Sequence, residues 1–566
     1  MVSNVIFVLV GLAAVLASVL AVVFAQGMYT AQAKDEESEK MVSSKKAIHS
    51  ICQPTRFKEA CEESMLSSES SDPKELIRAE FMATVEELKN ATARSKAVHL
   101  LQRDENLKAA SRVCQEMFHW AIKDLERSFD KLGEVDMSKI NNILLTLQVW
   151  LSGALTSQQT CIDSYAEMDD HAAEKMMTIL IKTQELTRTG LSILDGLSSL
   201  TKDLNIGNFD KIDPSAFNHR KLLSSEFPEW MSYSDRKLLE AKPENIKPNV
   251  VVAKDGSGKY DSIAKALADV PKGNTQRFVI HIKAGVYNER VNIPFDVNHV
   301  MLIGDGPTKT VISASVSVKK TQPKPTTFDT ATVSADGMHF IAKDIGFENS
   351  VGPEGHQAVA CRASGDMSAF YNCHFNGYQD TLYAHKGRQF YRDCVITGTI
   401  DFVFGDARAV YQNCQLIVRK PLENQNCIII AQGKTTVESA GGFVFQNCTF
   451  SGDEDYHPVK DTSKSYLSRP WRNFATVIIM QSQIDDIIQP EGYIPMDGEK
   501  GLATSYYVEY GNRGPGSNTE GRVKWPGIKK IDANEIKKFT PGVFLESQTW
   551  VPNTGIPCIT NMIPGI

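Results

Sequence analysis

Apolar residues recur at steps of three and four along PKELIRAEFMATVEELKNATARSKAVHLL (73–101) and NLKAASRVCQEMFHWAIKDLERSFDKL (106–132). The same spacing runs through 138–166 and 171–199. A period near 3.6 puts these residues on one face of a helix, so four long amphipathic helices are expected. Glycine and proline are scarce within them and the joints are short. This predicts an all-α, up-and-down four-helix bundle over residues 45–200. The N-terminus follows another pattern, VIFVLVGLAAVLASVLAVVFA at 5–25, with no charge in it. Such a run fits a signal-peptide core or one membrane-spanning helix. Residues 1–26 are therefore read as a signal peptide or signal anchor, although no Lys or Arg precedes the run.

From about 247 the helical period disappears. Short runs rich in β-branched and aromatic residues alternate with turn residues, and a repeat emerges. SAFYNCHF (368–375), RQFYRDCVI (388–396), RAVYQNCQL (408–416) and GFVFQNCTF (442–450) share one pattern. Each has two apolar or aromatic residues, two polar ones, a cysteine, and an apolar residue two further on. The cysteines Cys373, Cys394, Cys414 and Cys448 are 21, 20 and 34 residues apart, the last interval reading as a turn with an inserted loop. MHFIAKDIGFENS (338–350) is a looser earlier copy. A period near 20 built from short strands indicates a solenoid, one coil per repeat. The leucine-rich repeat signature is absent, and an all-β, right-handed parallel β-helix over 247–562 fits best. Residues 201–246 read as a linker in which RKLL occurs twice, with dibasic pairs Arg220-Lys221 and Arg236-Lys237. Exposed linkers offer proteases extended backbone, so both are candidate processing sites.

Charge narrows the partners. The net charge is −7, and residues 240–566 carry 34 Lys+Arg against 34 Asp+Glu, so the acidic excess lies in the N-terminal half. No basic field for nucleic acid exists. Eleven cysteines fit an oxidising compartment, and none has zinc-site spacing. Asn90-Ala91-Thr92 is a glycosylation acceptor, and Asn447-Cys448-Thr449 a weaker one because it lies in the strand repeat.

The repeat also brings chemistry together. Asp380 in GYQDTLY and Asp401 in TIDFVFG are 21 residues apart, one coil, and each sits among apolar neighbours. On adjacent coils they become neighbours on one face. Two close carboxylates in apolar surroundings cannot both ionise, so one pKa is pushed up while the other stays low. Turn-capping aspartates are the structural alternative.

The block HQAVACRASGDMSAFYNCHFNGYQDTLYAHKGRQFYRDCVITGTIDFVFG (356–405) closely resembles the plant pectin methylesterases, as do AQGK (431–434), YLSRPW (466–471) and YYVEYGNRGPGS (506–517). CQPTRFKEAC (52–61) and WLSGALTSQQTCIDSY (150–165) resemble the pectin methylesterase inhibitor domain. The resemblance implies a secreted cell-wall precursor with an inhibitor-like, autoinhibitory pro-region, cut at RKLL by a subtilisin-like protease. The implied reaction is hydrolysis of galacturonate methyl esters in pectin (homogalacturonan) to free carboxylate and methanol, without metal or cofactor. Asp401 would be the nucleophile and Asp380 the acid that protonates methanol and then activates water. Gln357 and Gln379 would be oxyanion donors; they are 22 residues apart, again one coil. Arg469 would pair with Asp401, Trp471 would face a sugar ring, and Tyr383 and Phe404 would line the groove or fill the coil interior. The resemblance also implies disulfides Cys52–Cys61, Cys114–Cys161 and Cys414–Cys448, and a free Cys373 whose family partner is Gly346 here. A monomer is expected, with a separate inhibitor protein as a further partner and the membrane touched only through the N-terminal helix.

Three positions depart from the family pattern. Ser468 replaces a glycine before Arg469, which would restrict the backbone there. Tyr493 and Met496 stand where the family has the two tryptophans of GWxxW, which puts sugar stacking in doubt. Competing readings are another pectin-acting β-helix enzyme, which would need a calcium-binding carboxylate cluster or wider-spaced acids, and a decayed wall-binding or inhibitor protein. The glutamine pair and Arg469 favour ester chemistry.

Overall fold

The computed structural model describes residues 41–100, 105–203 and 247–565; the apolar run at 5–25 and the dibasic pairs Arg220-Lys221 and Arg236-Lys237 lie outside the described residues. Among the described residues no helix is long and apolar enough to cross a membrane.

The N-terminal region is helical, with α1 at Pro73–Leu100, α2 at Glu105–Glu134, α3 at Leu144–Ala166 and α4 at Asp170–Asp203. α1 packs on α2 and α4, and α3 packs on α2 and α4. The stripe expected from 138 starts later, because Met137–Asn142 is a 3₁₀ turn capped by the Asp136 carboxylate on the Ser138 amide at 2.8 Å. Cys52–Cys61 and Cys114–Cys161 are disulfide-bonded, as the resemblance implied. Helix α3 is unusual in burying polar as well as apolar residues, among them Ser152, Thr156, Thr160 and Ser164. It is covered on both sides, by the helices behind it and by the C-terminal region in front.

That region coils strands into three parallel sheets of 11, 7 and 8 strands. The pairing follows the repeat in the sequence: Phe370 opposes Tyr391, Tyr391 opposes Tyr411, and Tyr411 opposes Phe445. Their rings stack at 4.8, 4.6 and 4.5 Å inside the coil. Each coil turns a corner at Asp344, Asn372, Asp393, Asn413, Asn447 and Gln481, with φ between 49° and 59°. Asp and Asn tolerate this left-handed region better than other side chains, because their short polar groups bond locally. Here they bond to one another, Asn372 to Asp344 at 2.6 Å and Asn447 to Asn413 at 3.2 Å. Asn447 also accepts from Arg513 at 3.1 Å, whereas Asn90 stands exposed on α1. The interior core is drawn wholly from residues 250–507, so the coil carries its own hydrophobic core.

The cysteine column corrects one expectation. Cys414 and Cys448 stack on adjacent coils but are free thiols. Each lies against a backbone carbonyl, Cys414 against that of Tyr391 at 3.6 Å and Cys448 against that of Tyr411 at 3.3 Å. Cys373 is free as expected. Gly346 opposes His374, which sets Ile345 beside Cys373.

The seven-stranded sheet positions the site. In spatial order it holds Val291–Ile293, Val333–Ala335, β1 (Cys361–Ala363), β2 (Leu382–Ala384), β3 (Val403–Gly405), β4 (Cys427–Gln432) and β5 (Ser465–Ser468). Its outer face is the one that α2 and α3 cover.

Candidate active site

Asp380 precedes β2 and Asp401 precedes β3, each two residues before the paired Leu382 and Val403. Both take left-handed backbone, φ 63° and 50°, which ends one turn and lifts the carboxyl to the sheet's outer face. They share a cavity of about 430 Å³ with Gln357, Gln379, Tyr383, Phe404, Arg469 and Trp471. Every expected catalytic and substrate-binding residue thus meets at one place. Among the described residues, neither the Gln357 nor the Gln379 side-chain amide has a hydrogen-bond partner, so both are free to donate to an incoming oxygen. Both residues are half-buried.

Arg469, directly after β5, grips Asp401 with two bonds, Nε at 2.8 Å and Nη2 at 2.5 Å. This bidentate pair orients the Asp401 carboxylate and favours its charged form. Burial raises both carboxyl pKa values above the ordinary range. Asp380 goes well above it, because burial is joined by the charges of Asp401 and Glu167, with Arg469 opposing. Asp401 is also raised by burial, with the Arg469 charge and bonds holding it back. The pair is therefore split as expected, but Asp401 does not stay low. The helical region covers the site and removes the water that would stabilise its charge.

Tyr383 and Phe404 resolve in favour of the groove. They stack at 4.3 Å on the outer face, and Trp471 meets them edge-on at 6.3 and 5.9 Å. Ser468 ends the extended strand β5, with no positive φ, so it imposes no strain beside Arg469. Tyr493 is not at the groove: it is buried, stacks on Tyr507 at 5.0 Å and donates to Glu509 at 3.1 Å. Met496 does line the cavity.

The remaining wall of the cavity is helix α3, through Thr160, Asp163, Ser164 and Ala166, continued by Glu167. One face of α3, read every three or four residues, bonds across the sheet. The Ala440 amide donates to Ser152 at 2.9 Å, and Thr156 donates to Asp406 at 2.8 Å. Thr160 meets His385 Nε2 at 2.9 Å, Asp163 pairs with Arg472, and Glu167 accepts from the Thr327 amide at 2.6 Å. Helix α2 inserts Trp120, 1% exposed, whose ring stacks on Phe295 at 5.2 Å and tilts against Phe328 at 5.8 Å. None of these contacts was foreseen from the sequence. The one signal was the polar stripe Ser152, Thr156, Thr160, Ser164 in an otherwise apolar helix.

Comparison with known proteins agrees with this geometry. The family model described as Pectinesterase matches residues 249–548, and that described as Plant invertase/pectin methylesterase inhibitor matches 46–193. The chain is 43% identical over 561 residues to an Arabidopsis thaliana protein named "Putative pectinesterase/pectinesterase inhibitor 28", spanning 99% of this chain and 75% of that one. It is 46% identical over 391 residues to a Petunia integrifolia pectinesterase, spanning 69% of this chain and all of that one. Among solved structures, pectin methylesterase from carrot matches with a TM-score of 0.55 and 43% identity, over 56% of this chain and 99% of the carrot chain.

Proposed function

The chain belongs to the pectinesterase family, and from its site we propose how it hydrolyses galacturonate methyl esters of pectin and how it is kept from doing so. The observation that supports the chemistry is the Asp380–Asp401 pair with Arg469 on one member only. Asp401, ionised and oriented by Arg469, attacks the ester carbonyl. The carbonyl oxygen gains charge and takes hydrogen bonds from Gln357 and Gln379. Asp380, protonated by its surroundings, gives its proton to the departing methanol, leaving galacturonate acylated on Asp401. Ionised Asp380 then takes a proton from water, which attacks the acyl group and frees the carboxylate and Asp401. Trp471, with Tyr383 and Phe404 behind it, holds the sugar. The test is methanol release from methyl-esterified polygalacturonate by the chain cut within 204–246 and freed of its helical region; no release would overturn the reading.

The helices are read as a closed up-and-down four-helix bundle and the coil as a right-handed parallel β-helix, with the bundle as a built-in inhibitor. Its α3 face fills the groove above Asp380 and Asp401. A secreted destination in the cell wall, removal or anchoring of residues 1–26, and cutting at either RKLL by a subtilisin-like protease belong to the same reading, supported by the two disulfides of the bundle. A separate inhibitor protein would dock on the face that the bundle leaves.

The cover responds to pH through Glu167. Burial lifts its carboxyl from the ordinary 4.5 to about 7, with the Thr327 bonds and Lys324 pulling it down and Asp163 pushing it up. The docked pKa is the higher one, so the proton favours docking. This contribution is fully present below pH 4.5 and is lost as pH rises through about 7. Between pH 5 and 7 the affinity of the cut bundle for the β-helix should fall on the order of 30-fold more than that of Glu167→Gln. Titration calorimetry at the two pH values checks this, and parallel pH profiles would contradict it.

A further inference from the structure

Two cations beneath the bundle make no ion pair within the β-helix. The Lys386 ammonium, buried at the end of β2, bonds to Asp124 of α2 at 2.7 Å and to Ser157 of α3 at 3.0 Å. Arg472, in the stretch after β5, pairs with Asp163 of α3. Among the described residues these are the only ion pairs either cation makes, and both carboxylates belong to the bundle. The neighbouring cations differ, because Arg362, Arg388 and Arg469 are matched within the β-helix by Asp336, Asp366 and Asp401. A buried unpaired charge is costly. The freed β-helix therefore exposes two cations built to receive carboxylates.

Lys386 follows β2 on the coil of Asp380, and Arg472 follows β5. Lys386 leans toward the first coils, its ammonium 5.2 Å from the Phe295 ring and 5.1 Å from that of Trp120. Arg472 lies beyond the catalytic coils and beside Trp471, 5.1 Å from its ring. Gly153 permits the first pairing, since a Cβ there would come within 3.0 Å of Asp124 Oδ2 and 3.4 Å of Lys386 Cδ. Each cation thus lies beside an aromatic ring of the β-helix itself, Phe295 for Lys386 and Trp471 for Arg472. Next to them, a cavity of about 680 Å³ between α2 and the first coils has a lining of both signs, with Arg290 and Lys324 facing Glu105, Glu116 and the Arg112–Asp329 pair.

We infer that Lys386 and Arg472 are carboxylate subsites for de-esterified galacturonate residues on the two sides of the catalytic pair, and that Asp124 and Asp163 stand in for those carboxylates while the bundle is docked. This rests on the pectin-hydrolase reading above for the identity of the polymer. Two consequences follow. The enzyme binds chains that it has already partly de-esterified better than fully methylated ones, because only the former carry the anions. The same acidic chains compete with the bundle and help to open the cut precursor.

The test uses the cut, bundle-free β-helix carrying Asp401→Asn, so that esters survive the measurement. Calorimetry compares a fully de-esterified oligogalacturonate long enough to span the groove with the same oligomer fully methyl-esterified. The de-esterified oligomer should bind at least about tenfold tighter, and Lys386→Gln and Arg472→Gln should each lose about tenfold for it alone. Its binding should weaken with salt. Equal affinity for the two oligomers, or unchanged binding in both variants, would overturn the inference. Arg472→Lys, which keeps the charge, should retain most of the binding and separates a lost cation from a disturbed fold. If neither glutamine variant folds, Asp124→Asn and Asp163→Asn, which leave the β-helix intact, should each weaken bundle docking to the cut chain by about tenfold; unchanged docking overturns the inference by that route. Methanol release by the same protein without Asp401→Asn is scored separately. An inactive β-helix that still prefers the acidic oligomer would refute the esterase reading and leave the subsites standing.

Discussion

Cutting the chain within residues 204–246 and removing the bundle should raise methanol release from methyl-esterified pectin by about a hundredfold or more. Asp380 and Asp401 are 8% and 7% exposed beneath α3, too little for a polysaccharide to reach them. Cutting alone should do much less. The docked face buries Trp120 in a slot made by Phe295, Phe328 and His385, with the Arg362 guanidinium 5.9 Å and the Lys386 ammonium 5.1 Å from its ring. Buried tryptophans at the centre of an interface contribute most of its affinity. Trp120→Ala in the cut chain should therefore weaken docking by about 3 kcal/mol, roughly a hundredfold, and raise activity at low protein concentration. Trp120 projects from α2 into the β-helix, so the bundle should keep its own melting temperature. Full activity of the uncut chain would contradict the inhibitory role. Activity unchanged by Trp120→Ala would shift the weight to the α3 contacts.

The largest single-residue effect is expected at Asp401. In the bundle-free enzyme, Asp401→Asn removes the nucleophile and should lower kcat by roughly four orders of magnitude or more, with binding of the methylated oligomer retained. Asp380→Asn keeps the shape of the acid but not its proton transfer, and should cost roughly 100- to 10,000-fold. The two losses should not add, since both residues serve one step. Melting curves must match wild type, because Asp401→Asn also leaves the Arg469 guanidinium without its partner. Wild-type release by Asp401→Asn would remove it from the mechanism.

Much of this was legible in the sequence because repetition leaves a period. Intervals of 20 and 21 residues between cysteines and between aspartates gave the coil, and the coil alone made Asp380 and Asp401 neighbours. Helical spacing likewise gave the long helices, since a core stripe is periodic whatever it packs against. Pattern could not tell inward from outward along one strand: Tyr383 and Phe404 proved to face the groove, whereas Tyr493 proved to be core. Nor could it tell a stacked pair of cysteines from a bonded pair, because Cys414 and Cys448 have the same spacing either way. Least legible was the docking of the two regions. The face of α3 from Ser152 to Glu167 looks like the soluble side of an amphipathic helix, and its partners Asp406, His385 and Arg472 lie more than 200 residues away in the chain. Contacts between regions leave no period, and Lys386 in AHKG carries no sign that its counter-ion comes from another domain.

The ester chemistry itself rests on a balance of products. Methyl-esterified polygalacturonate, incubated with the bundle-free enzyme, should yield one methanol for each proton released, with the length of the polymer unchanged. New reducing ends or unsaturated chain ends appearing without methanol would contradict it, and would make the paired aspartates the acids of a glycosidase or lyase.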